Sequence, residues 1–127
     1  TADFIYKPDG SYDQILNTSI ENLDISTMPS IRTPLPTSAP ANTVGIFNLT
    51  LLDNDTFSMF VNVHSANQED VAPSDKNSTM AANSNSYDKK PAHEILVDST
   101  SQIFYRGNDS AVALFSVYCV GFYDNLN

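Results

Sequence analysis

Cysteine occurs once in this 127-residue chain, as Cys119, so no internal disulfide can form and nothing points to selection for an oxidising compartment. Tryptophan is absent, and with it the broadest apolar platform on which a sugar ring could stack. His64 and His93 are the only imidazoles. Zinc sites need several Cys or His at short spacing, and a hydrolytic serine needs a nearby base and a Gly-x-Ser-x-Gly elbow; neither pattern is present. The four glycines, Gly10, Gly45, Gly107 and Gly121, are isolated, which excludes a phosphate-cradling loop. Among the acids only Glu21, Glu69 and Glu94 are glutamates, and no spacing selects a carboxylate pair for glycoside hydrolysis. Oxygen-rich turns at Asp53-Asn54-Asp55 and Asn108-Asp109 could gather calcium ligands, but neither follows the EF-hand pattern. The expectation is a non-enzymatic chain with no cofactor and no metal.

Basic residues are equally sparse. Six Lys and Arg stand against fifteen Asp and Glu, a net charge of −9. No basic stripe exists to displace counterions from phosphates, so nucleic acid and anionic membranes are excluded as partners. No run is long and apolar enough to span a bilayer as a helix, and no secretory signal pattern opens the chain. Thr1-Ala2-Asp3 has the form left when an initiator Met is trimmed, which fits synthesis in a cytoplasm. Asn, Ser and Thr fill the space left by charge, as turn-rich β structure requires. Five Asn-x-Ser/Thr sequons, at Asn17, Asn48, Asn54, Asn77 and Asn108, slightly exceed chance; they would carry glycans only in a eukaryotic secretory host.

What is abundant is apolar β pattern, most of all in Ala111–Tyr123. Simple alternation puts Val112, Leu114, Tyr118, Val120 and Phe122 on one face, and Ala113, Phe115, Val117, Cys119 and Tyr123 on the other. A strand apolar on both faces must be covered on both, centrally in a sandwich or by another subunit. Thirteen extended residues would reach roughly 43 Å, too long for one regular strand, so a bulge is expected near Ser116 or Gly121.

Upstream, Pro8-Asp9-Gly10 between aromatic flanks predicts a hairpin. Ile15–Ile25 fits neither the helical nor the strand period. Val44–Leu52 and Thr56–His64 alternate cleanly and read as a second hairpin turning at Asp53-Asn54-Asp55. Met28–Pro40 holds four prolines, which forbids a helix or a central strand and predicts an extended arm. Ser65–Pro91 has almost no large apolar residue and reads as a long polar loop, a natural contact face. His64 and His93 border it and read as exposed. Glu94–Asp98 and Ser101–Tyr105 are further strands. The fold class is all-β, an antiparallel β-sandwich or jelly-roll-like barrel forming one domain overall. Its parts are an N-terminal hairpin segment (1–27), a Pro-rich extended arm (28–43) and a sandwich core (44–127).

The C-terminal third carries Glu94-Ile-Leu-Val-Asp98, Gln102-Ile-Phe-Tyr-Arg106 and a closing Gly121-Phe-Tyr-Asp124. In these strings it resembles small phage virion proteins of the capsid decoration (cement) and tail-associated β type. That resemblance covers about a quarter of the chain and leaves the Ser65–Pro91 insertion unmatched. It implies a non-enzymatic sandwich, often a homotrimer, on the outer capsid surface of a virion. The partner would then be the major capsid protein. Ile31, Leu35 and Pro36 of the arm, with Phe115 and Val117 of the last strand, are the expected interface residues. The alternative is a receptor- or carbohydrate-binding module whose Ser65–Pro91 loop meets a host-surface glycan. A secreted eukaryotic glycoprotein fragment is a third reading.

Overall fold

The computed structural model describes residues 4–6, 13–53, 58–83, 86–108 and 111–123. It is all-β, with nine strands among these residues: β1 (Phe4–Tyr6), β2 (Asp13–Thr27), β3 (Thr33–Pro36), β4 (Val44–Leu52), β5 (Met59–His64), β6 (Met80–Ala82), β7 (Tyr87–Leu96), β8 (Gln102–Gly107) and β9 (Ala111–Tyr123). They form two antiparallel sheets, one ordered β1-β2-β9-β4-β7 and the other β3-β8-β5-β6. The two sheets pack face to face as a β-sandwich.

The core follows from alternation. β4 sends Phe47, Leu49 and Leu51 inward, and β9 sends Phe115, Val117 and Cys119; none is more than 1% exposed. The opposing sheet replies with Leu35, Met59, Val61, Val63, Ile103 and Tyr105, all buried. Tyr105 and Phe115 meet across the layer, with ring centroids 5.8 Å apart. Gly45 is obligatory here because a side chain would collide with the Phe47 ring. Each fully buried large side chain contributes about 1.5–3 kcal/mol by leaving water.

A bulge does fall near Gly121. Ile46 pairs with Gly121 and Phe47 with Cys119, so Val120 is the extra residue. The shift reverses the alternation beyond it. Phe122 is buried at 4% exposure and Tyr123 turns outward, the opposite of the uninterrupted pattern.

Several expectations change. β4 and β5 are not a hairpin but belong to different sheets; both carry apolar faces that bury more area across the core than side by side. The linking residues 54–57 lie outside the described residues. The ambiguous Ile15–Ile25 stretch belongs to β2, which is strand throughout. Three register shifts against β9 scramble its period, which is why no template fits it. β1 pairs antiparallel with β2, while the turn at Pro8-Asp9-Gly10 lies outside the described residues. The 65–91 stretch is not one loop, because it contains β6 and the first half of β7.

The Pro-rich segment is extended, but it is not a free arm. β3 pairs with β8 as Thr33↔Tyr105, Pro34↔Phe104, Leu35↔Ile103 and Pro36↔Gln102. Thr37 N donates to Ser101 O at 2.8 Å, so by alternation Thr33 and Leu35 also aim their N–H groups at β8. Prolines thus occupy the positions whose N–H would point away from the sheet. They remove the donors an open edge would offer to another chain. Replacing Pro34 and Pro36 together by Val should cost about 1–2 kcal/mol of stability, through a freer unfolded chain. It should also restore two outward donors, so light scattering on mild heating should rise well above wild type.

Candidate functional site

The outward face of the smaller sheet carries the row Pro34–Phe104–His64, with Arg106–Asn62 beside it. On an uncovered sheet these side chains would meet water. Asn62 and His64 are nevertheless buried, at 8% and 6% exposure. The reading of His64 as exposed is corrected; His93 is half-buried. Residues 65–79 cause the burial by folding back over this face. Asn62 Nδ2 donates to Val71 O at 2.8 Å, and Ser65 N donates to Gln68 Oε1 at 3.0 Å.

Two arginines fasten the cover. Arg32 Nη2 donates to Ser65 O at 3.3 Å and to Ala66 O at 2.9 Å. Its guanidinium carbon lies 4.4 Å above the centre of the Phe104 ring. Arg106 Nη1 pairs with Asp70 Oδ1 at 3.1 Å, and Nη2 donates to Ser30 O at 2.7 Å. Hydrogen bonds from charged donors are worth about 1.5–3 kcal/mol each when partly buried. Planar, multidentate guanidinium suits this role where lysine would not.

The same bonds fix the turn that leads into β3. Gly107 N donates to Pro29 O at 2.8 Å, and Thr33 Oγ1 donates to Ile31 O at 2.9 Å. Ile31, framed by these contacts, is 70% exposed, the most exposed large hydrophobic among the described residues. Pro34 and Pro36 continue the exposed edge.

Of the expected interface residues, Ile31 and Pro36 are therefore at the surface. Leu35, Phe115 and Val117 are not: at 3%, 0% and 0% exposure they fill the molecule's own core. Their assignment to an interface is corrected. β3 alternates, so Leu35 must point inward when Pro34 and Pro36 point out. Phe115 and Val117 lie on the inner side of β9. Sequence reasoning missed Arg32 and Arg106, whose value depends on a loop that sequence cannot place.

Two adjoining concavities, of about 340 and 680 Å³, lie beside the cover and share Val63, Gln68, Ser78 and Thr79. Glu69 and Asn77 line the first, and Lys90, His93 and Glu94 the second. No group of three or more metal-ligating side chains occurs among the described residues. Asn108, a calcium candidate, is engaged otherwise: its Oδ1 accepts from Phe60 N at 2.8 Å and its Nδ2 donates to Ser58 O at 3.2 Å. Cys119 is buried, and burial pushes its thiol pKa up, away from reactivity. No protein-family description, curated protein or solved structure matches this chain.

Burial holds the His64 pKa below the ordinary imidazole value of 6.5, with Arg32 lowering it further and Asp70 partly opposing. Its Nε2 has no hydrogen-bond partner. Below pH 6.5 the unfolded chain binds the proton first, so stability falls with falling pH until the folded pKa is passed. His93, also lowered by burial, acts in the same direction. Urea midpoints should therefore decline between pH 7.5 and pH 5. His64→Gln should flatten part of that decline; an unchanged slope would mean that His64 titrates as it does in water.

Proposed function

We propose that the protein is a non-enzymatic structural component of a virus particle, a capsid decoration protein that docks on the major capsid protein and bridges its subunits. The observation that supports it most directly is Ile31: a large apolar side chain at 70% exposure on a turn held by Arg106, Thr33 and Gly107. A pre-ordered anchor loses little entropy on docking, and such anchors carry much of an interface's energy. Pro34 and Pro36 extend the same edge with rigid apolar surface that offers no donors. The acidic composition keeps copies from associating indiscriminately before they meet the shell, and several copies on one particle convert modest contacts into tight attachment. Synthesis in the host cytoplasm and residence on the outer capsid surface complete the reading. Ile31→Glu should weaken co-sedimentation with purified capsids at least tenfold while leaving the unfolding free energy from urea titration within about 0.5 kcal/mol of wild type. Undiminished capsid binding would reject this edge as the docking surface.

The paired concavities favour a second reading, recognition of a host-surface glycan. Carboxylate, amide and hydroxyl groups from Gln68, Glu69, Asn77 and Ser78 converge there, the mixture that sugar hydroxyls require. A glycan array probed with the whole protein separates the two. Binding abolished by Glu69→Gln supports the second reading, and an empty array removes it.

A further inference from the structure

Among the described residues no second layer covers the outer face of the larger sheet, although the small Ser116 at its centre is only 8% exposed between its neighbours, and three of its rows are complementary to themselves. On β9, Leu114, Ser116, Tyr118 and Tyr123 point away from the core; on β4, Val44, Asn48, Thr50 and Leu52 do so. Cross-strand pairing aligns them in rows. One end row is Leu114–Leu52–Tyr87 and the other Tyr123–Val44–Leu96, with Tyr87 59% and Leu96 39% exposed. Between them runs Asp24–Ser116–Thr50–Lys89, an acid on β2 at one end and a cation on β7 at the other.

We infer that this face pairs with a second copy about a two-fold axis parallel to the strands, midway between β9 and β4. That operation places each β9 residue over the partner's β4 residue in the same row. Ser116 then faces Thr50, Leu114 faces Leu52 and Tyr123 faces Val44, polar on polar and apolar on apolar. Asp24 of each copy faces Lys89 of the other, so two ion pairs form at the rims. Sheets pack face to face at about 30°. Asp24 and Lys89 sit roughly 7 Å from the axis, so that crossing displaces them by under about 4 Å, within the reach of a lysine. Each end row is apolar over three strands, so a lateral slip there still meets an apolar partner. Four strands by nine residues give a footprint of roughly 600 Å² per copy. The total of about 1,200 Å² is at the low end for a specific interface, which makes the pair reversible and concentration-dependent. The pairing goes beyond capsid docking and leaves the β3 edge free. A trimer, which the phage resemblance implies, is not what this symmetry produces.

Charge exchange tests it. Within one chain Asp24 and Lys89 are three strand spacings apart, roughly 14 Å, so any coupling between them must cross an interface. Sedimentation equilibrium of the whole protein should show a monomer–dimer equilibrium. Asp24→Lys and Lys89→Asp should each weaken it at least tenfold by creating two like-charge contacts. An equimolar mixture of the two variants should restore wild-type association, because both rim pairs are then complementary. General repulsion predicts otherwise: Asp24→Lys changes the net charge from −9 to −7 (−9 + 2) and would then associate more tightly. Both sites are exposed, so matched thermal unfolding will confirm that the variants fold. A wild type that stays monomeric or forms trimers, single variants without effect, or a mixture no better than its parts would each overturn the pairing.

Discussion

Everything in this molecule depends on the register of β9. It is the central strand of the larger sheet, hydrogen-bonded to β2 on one side and β4 on the other, and its alternation decides which residues become core. A slip of one residue would put Phe115 and Val117 in water and Ser116 and Tyr118 inside. The Val120 bulge is part of that solution. Without it Tyr123 would enter the core where Phe122 now sits. The extra residue lets a long strand stay continuous while its final turn of side chains is re-aimed. Because β4 copies the register to β7, the rows on the outer face follow from the packing of the inner one.

Much of this was legible in the sequence, and the gaps have physical causes. Alternation revealed β4 and β5, and an uncharged run apolar on both faces revealed β9. Alternation is a local signal, however, and cannot say whether two adjacent strands pair or face each other, so β4 and β5 read as a hairpin. β2 was illegible because its bulges against β9 break the period. Four prolines correctly excluded a helix and a central strand from Met28–Pro40. They also fit an edge strand, and Thr-Pro-Leu-Pro-Thr is the pattern of a strand whose every second donor faces outward. The candidate docking edge was partly visible in Ile31 and Pro36. The arginines that hold it were not, since their partners Ser65, Ala66 and Asp70 are more than thirty residues away in sequence.

The edges and faces of the sandwich divide the work of contact. β3 is protected by proline, and β1 and β6 are only three residues long. At the β7 edge, Pro91 and Ala92 form a bulge opposite Asn48, whose Oδ1 accepts from Ala92 N at 2.9 Å. Ala92 there takes a positive φ of 50°, a backbone shape that interrupts strand addition. Lys89 and Lys90 add charge to the same edge. Asn48 is a sequon asparagine, and its side chain is thus already committed to the bulge. A chain built in this way does not associate by extending its sheets. The two proposed contacts accordingly use side chains, the projecting Ile31 in one and the outer face in the other.

The scarcity of cations gives each one weight. Where a cation's contacts are seen, they give it a local role. Arg32 and Arg106 illustrate this, since both reach across the smaller sheet to the 65–79 cover and both leave Nε without a partner. A buried donor left unpaired costs about 1–3 kcal/mol, and the cover is worth that cost only if its position matters. Lys89 has a different role. It lies over Tyr87, 5.3 Å from the ring centroid, and so extends along the outer face rather than away from it. Held there, it continues a row whose opposite end is Asp24, two residues too far apart to meet in one molecule and correctly placed to meet in two. In a chain of net charge −9 the few places where a cation meets an acid or a carbonyl stand out, and those places lie on opposite faces of the sandwich.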